Sequence, residues 1–169
     1  MQFIHIPKTA GKSVHAVFPR TPPFERHHQP MSYYKDETEF YTTIRNPYDR
    51  LVSLFCYINR DQPNYNEIHN PEYFYWWFTV GKDQEPKMAN PNVFNTMSWY
   101  LDVPEKPVKI LRFETVGQDF KELFGQDLPH VNENEHPPYQ GYYDKKMTEL
   151  VRDYYSEDFI RFNYSEELV

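Results

Sequence analysis

Two lysines and two hydroxyls crowd one turn near the start of the chain. Pro7-Lys8-Thr9-Ala10-Gly11-Lys12-Ser13 follows the stretch Met1 to Ile6, which reads as a short strand. Val14, Val17 and Phe18 then recur at helical spacing. A strand that passes through a Gly-containing turn into a helix builds an anion site, because successive backbone N–H groups point inward and the helix adds its positive end. Phosphate or sulfate is the expected ligand. The Walker A pattern needs a glycine, four residues, then Gly-Lys-Ser/Thr. Gly11-Lys12-Ser13 supplies its end, but Ile6 stands where the first glycine belongs. The later strands run into Arg45 and Glu114, not into an Asp that would hold Mg²⁺. Both departures weaken an ATPase or kinase reading.

A second basic stretch is Thr43-Ile44-Arg45-Asn46-Pro47-Tyr48-Asp49-Arg50-Leu51-Val52-Ser53. Arg45 is expected where a strand ends, the place at which open α/β sheets bind ligands. Ser53 follows on the next helix. A fork of guanidinium donors with a hydroxyl suits a second phosphate. Two anion sites, one per βα turn, imply a ligand with phosphates at two distant points, which a triphosphate chain does not require.

The elements that must position these groups follow from punctuation and period. Residues 19 to 38 are proline-rich and read as a surface loop. Phe40 to Ile44 is β-branched and aromatic and reads as a strand. Asn46 as N-cap and Pro47 at the first helical position start a helix buried along Leu51, Leu54, Phe55 and Ile58. Glu72 to Val80 reads as a short aromatic helix and Val93 to Leu101 as another. Val108 to Phe113 is a third strand. Thr115 and Gln118 form a capping-box pattern before Phe120, Leu123 and Phe124, and Gly125 ends that helix. Asp144 caps a helix carrying Met147, Leu150, Val151 and Tyr154, and Ser156 is expected to cap a last short turn. This order predicts an α/β fold, P-loop-like and three-layered, with a small central parallel sheet of about three to five strands flanked by helices.

The 169 residues are expected to form a single domain, 1–169. The net charge of −7 makes a poor non-specific partner for nucleic acid or anionic membrane. Mean hydropathy is −0.86 and no apolar run approaches the roughly 20 residues that span a bilayer. The N-terminus has no basic and apolar leader pattern, so a cytoplasmic location is expected. Cys56 is alone, which leaves no intrachain disulfide and no thiolate metal cluster, and it is expected in the core. The histidines lack metal-ligand spacing, so no metal is expected.

Together the two basic stretches carry a resemblance. Phe3-Ile4-His5-Ile6-Pro7-Lys8-Thr9-Ala10-Gly11-Lys12-Ser13 resembles the 5′-phosphosulfate loop of sulfotransferases, and Ile44 to Ser53 resembles their 3′-phosphate motif. The branch most similar contains the heparan and chondroitin carbohydrate O-sulfotransferases. Ile110 to Glu114 looks like its late strand, and Tyr142 to Ser165 is similar to its C-terminal helix. The resemblance is specific at the two motifs and looser between residues 60 and 105.

The resemblance implies 3′-phosphoadenosine 5′-phosphosulfate (PAPS) as donor and 3′,5′-ADP (PAP) as product. It implies that Lys8 contacts the bridging oxygen of the phosphosulfate. The turn Thr9, Ala10, Gly11, Lys12 and Ser13 would cradle the 5′-phosphate, and Arg45 and Ser53 would hold the 3′-phosphate. Members of the branch carry a catalytic histidine before the 3′-phosphate strand, where this chain has Arg26-His27-His28-Gln29-Pro30. His28 is the expected base, with His27 next; a base titrating near neutrality favours histidine. His5 is expected to be packed or hydrogen-bonded. The acceptor is a hydroxyl, on a carbohydrate or small compound, and the aromatic run Tyr73 to Phe78 is either core or a platform for stacking a sugar. A P-loop nucleotide or small-molecule kinase and a non-catalytic nucleotide-binding module are the alternatives.

Overall fold

A computed structural model describes residues 1–19, 28–65, 67–81, 91–131 and 136–168. In chain order the regular elements are β1 (Gln2–Ile4), α1 (Gly11–Val17), β2 (Phe40–Ile44), α2 (Pro47–Asn59), α3 (Pro71–Thr79), α4 (Met97–Tyr100), β3 (Val108–Arg112), α5 (Val116–Phe124), α6 (Lys145–Tyr154) and α7 (Ser156–Arg161). Short 3₁₀ turns occur at Met31–Tyr33, Pro91–Phe94, Phe113–Thr115 and Tyr139–Tyr142. The chain is mixed α/β and forms two compact units: Met1–Arg45 with Asn92–Glu133, and Asn46–Pro91 with Asn134–Val169. No helix of the described residues is long and apolar enough to cross a membrane.

The first unit holds the sheet. Its strands are parallel, in the order β1-β2-β3, with Phe3 opposite Tyr41 and Thr43 opposite Leu111. The central strand β2 is buried at every residue, whereas edge strand β3 leaves Lys109 and Ile110 exposed. Alternation along the strands puts Phe3, Tyr41 and Leu111 on one face. They pack there with Val14 of α1 and Phe120 of α5, and Val17, Phe18, Leu123 and Phe124 close around them. Burial pushes the Tyr41 phenol up to about 12.

Two predicted helix starts in this unit differ from the sequence reading. Thr115 does not cap α5 with its side chain. It sits at φ −128°, ψ 16° as the last residue of a 3₁₀ turn, and the Gln118 amide donates instead to Glu122 at 2.9 Å. Asp119, in the first turn, accepts the Arg112 N–H at 2.8 Å and ties α5 to β3. The helix expected over 93–101 is a 3₁₀ turn followed by the shorter α4, because Thr96 Oγ1 accepts the Trp99 N–H at 3.0 Å and starts the helix there.

The second unit is helical. Asn46 Oδ1 accepts the Tyr48 N–H at 2.9 Å, with Pro47 at N1. Asn70 does the same for Tyr73 at 2.8 Å, and Asp144 for Met147 at 2.7 Å. Ser156 is the first residue of α7, not its cap, which is Tyr155. Phe55 of α2 packs edge-on against Phe74 and Trp77 of α3, with ring centroids 5.1 and 5.0 Å away. Phe74, Trp77 and Phe78 are buried, Tyr73 and Tyr75 are half-buried, and Trp76 is 44% exposed.

Candidate functional site

The turn after β1 is built from strained backbone. Lys8 stands at φ 68° and Ala10 at φ 77°, both left-handed and neither a glycine. Such residues cost on the order of 1–3 kcal/mol each and persist where surrounding bonds over-determine them. Those bonds are present. The Thr9 hydroxyl donates to the Ile6 carbonyl at 2.8 Å, so the proton between Thr9 and Thr43, also at 2.8 Å, comes from Thr43. Both threonines are fully buried. Arg45, at the end of β2, donates from Nη1 to the Lys8 carbonyl at 3.2 Å. Its guanidinium carbon lies 3.9 Å from the centroid of the Phe113 ring.

The predicted site residues therefore divide. Lys8 is half-buried and Lys12 is exposed on the first turn of α1. The Thr9 hydroxyl holds the turn together, which leaves its backbone N–H as its route to an anion. Ser13 is 3% exposed, and its hydroxyl accepts the Val131 N–H at 3.2 Å and donates to the Val131 carbonyl at 3.5 Å. Arg45 ends the first segment of the first unit and is 8% exposed. Ser53 lies on α2 in the other unit and is 3% exposed. His27 lies outside the described residues.

His28 belongs to a cluster. Its Nδ1 donates to the His5 carbonyl at 2.9 Å, and its ring centroid lies 4.4 Å from that of His5. A carbonyl only accepts, so in neutral His28 the proton-accepting nitrogen is Nε2. His28 is itself left-handed, at φ 60°. His5 is buried and stacks on Phe3 at 5.7 Å, and His15 of α1 lies 3.3 Å from it, Nε2 to Nδ1. The sequence reading expected His5 to be packed or hydrogen-bonded, but passed over His15. Spacing shows only that Gly11 and His15, one helical turn apart, share a face of α1; it does not show that His5 lies against that face.

The second unit has polar clusters of its own. Tyr142 Oη lies 2.7 Å from His69 Nδ1 and 3.5 Å from the buried Cys56 Sγ. Burial and then the nearby His136 hold His69 below its ordinary pKa, and its Nε2 is buried with no hydrogen-bond partner among the described residues. His136 Nε2 lies 3.8 Å from Asp49. Burial, with Cys56 adding to it, pushes Tyr65 up to about 12. These phenols stay protonated at neutral pH and serve packing.

Comparison of the chain with family models, with curated proteins and with solved structures finds no match.

Proposed function

We propose that this chain is a PAPS-dependent O-sulfotransferase acting on a hydroxyl of a carbohydrate or small compound. The observation that carries the reading is Lys8, held left-handed in a turn that resembles a phosphosulfate loop, with its carbonyl bonded by Arg45. Left-handed non-glycine residues concentrate at functional sites, and Lys8, Ala10 and His28 are three of the four in the described chain. The parallel sheet β1-β2-β3 is compatible with the coarse α/β arrangement that the reading requires.

The donor supplies a sulfuryl group on an activated phosphosulfate bridge. Each residue then has a distinct task. Lys8 offers an ammonium to the bridging oxygen, which gains charge as the sulfur–oxygen bond breaks and PAP leaves with the electron pair. His28 Nε2 takes the proton of the acceptor hydroxyl as the new oxygen–sulfur bond forms. The backbone N–H groups of residues 9 to 12 and the ammonium of Lys12 hold the 5′-phosphate. Arg45, in the same unit as this turn, serves the 3′-phosphate. A kinase fits less well, since Ile6, wholly buried, stands at the first Walker position and β2 leads into Arg45.

Thermal denaturation with added nucleotide tests the reading. At a hundred times its dissociation constant, 3′,5′-ADP is expected to stabilise the chain by about 2.7 kcal/mol, which raises Tm by about 5–10 °C. Stabilisation by ATP–Mg²⁺ with none by 3′,5′-ADP overturns the proposal.

A further inference from the structure

We propose that His5 is a positioning residue for His28: its backbone carbonyl fixes the tautomer of His28, and its ring, held by His15, fixes the aim of the His28 ring. The inference rests on the reading of His28 as base.

The three-histidine array can be followed from its two ends. His15 Nδ1 lies 3.3 Å from the Phe18 carbonyl, and a carbonyl only accepts, so His15 Nδ1 carries the proton. The other nitrogen of neutral His15, Nε2, is then the acceptor, and the bond at 3.3 Å is donated by His5 Nδ1. At the far end His28 Nδ1 donates to the His5 carbonyl. Each neutral ring therefore carries its proton on Nδ1, and the basic nitrogen of His28 is Nε2.

Geometry fixes the rings as well as the protons. The His5 ring is clamped between its contact with His15, centroids 5.0 Å apart, and the backbone of Gly11, and it presents a flat surface to His28 at 4.4 Å. A residue at position 5 thus supplies both the acceptor for Nδ1–H and the wall against which the His28 ring rests. A side chain that merely filled the core would need neither the bond to His15 nor the approach to Gly11. Pinning of this kind is what a general base requires, since misplacement by about 1 Å costs on the order of 10²-fold in rate.

The test reads ring nitrogens by NMR on the ¹⁵N-labelled full chain, at a pH where imidazoles are neutral. His5, His15 and His28 are each expected to show the proton on Nδ1. A proton on His28 Nε2 overturns the proposal. This arm needs neither turnover nor a variant, so it stands if His5→Ala fails to fold, and it stands if the wild-type chain transfers no sulfuryl group, an outcome that sinks the sulfotransferase reading alone.

With transfer established, His5→Ala, which keeps the carbonyl that His28 Nδ1 donates to, is expected to leave the His28 tautomer unchanged and to lower kcat on the order of 10²-fold with KM for PAPS within about twofold. His5→Phe, which restores a flat ring, is expected to recover about tenfold of that loss. Wild-type kcat in His5→Ala overturns the proposal, as does a loss in kcat/KM that arises wholly from KM.

Discussion

The imidazole of His5 stands where a side chain at position 11 would begin. A Cβ on Gly11 would lie 1.9 Å from His5 Nε2 and 2.1 Å from its Cδ2, far inside van der Waals contact. Gly11 is the first residue of α1, with helical backbone, so space and not conformation demands glycine here. Gly11→Ala is expected to destabilise the chain by about 1–3 kcal/mol through overpacking. Chemical denaturation of Gly11→Ala, His5→Ala and the double variant checks the cause. The double variant should cost less than the two singles added, because residues in contact couple. Strict additivity would show that the two do not compete for space.

Ala10 supplies a complementary case. At φ 77°, ψ 15° it occupies the region that L-residues reach at about 1–2 kcal/mol. Ala10→Gly is expected to stabilise the chain by about 1 kcal/mol and to raise Tm by about 2–4 °C. A fall in Tm would mean that the methyl group contributes packing that outweighs the backbone strain.

The buried hydroxyl pair has a direction, and its two ends are unequal. Thr9→Val removes the donor to Ile6 and the acceptor for Thr43, leaving two buried polar groups short of a bond. Thr43→Val leaves Thr9 still bonded to Ile6. Thr9→Val is therefore expected to cost more, about 2–3 kcal/mol against about 1 kcal/mol for Thr43→Val, with Thr9→Ser restoring most of the loss. Urea denaturation of the three variants decides the order.

His69 sets an acid limit on stability. Its folded pKa is lowered by burial first and by His136 second, so the unfolded chain binds the proton more readily. The contribution is complete above the unfolded value, about 6.5, and is lost as pH falls from there toward the folded value. Stability is thus expected to drop on acidification below about pH 6.5, and His69→Phe should flatten that limb of the profile. Unfolding free energies measured from pH 8 to 5 in both proteins give the comparison; parallel profiles would remove His69 as the cause.

Lys8 is expected to act in the transition state more than in binding. Lys8→Ala should lower kcat on the order of 10²–10³-fold while 3′,5′-ADP, which lacks the sulfuryl group, still binds. Arg45→Ala should weaken 3′,5′-ADP and also lower stability, because it releases the Lys8 carbonyl. Calorimetric titration of both variants with 3′,5′-ADP separates the two effects. Loss of 3′,5′-ADP binding in Lys8→Ala would make Lys8 a binding group.

Local chemistry was legible in the sequence where it was decided locally. The Asn46-Pro47 helix start, the Asp144 cap, the Gly125 stop at φ 70° and the three strands follow from residue type and period, which act within a few positions. The pattern at Thr115 misled because the Gln118 side chain donates to Glu122, while Asp119 ties α5 to the Arg112 N–H. The hydroxyls of Thr9 and Ser13 carry another lesson. Residue type made both phosphate ligands in prospect, yet their partners, Thr43 and Val131, lie far along the chain.

By itself the sequence determined an α/β chain with a basic turn after its first strand, because polarity, period and punctuation are read residue by residue. Only the tertiary structure decided that Lys8 and Ala10 are left-handed, that Gly11 is a glycine for the sake of a histidine, and that His5, His15 and His28 meet. Those facts depend on which surfaces the folded chain brings within a few ångströms, and no spacing along the sequence encodes that distance.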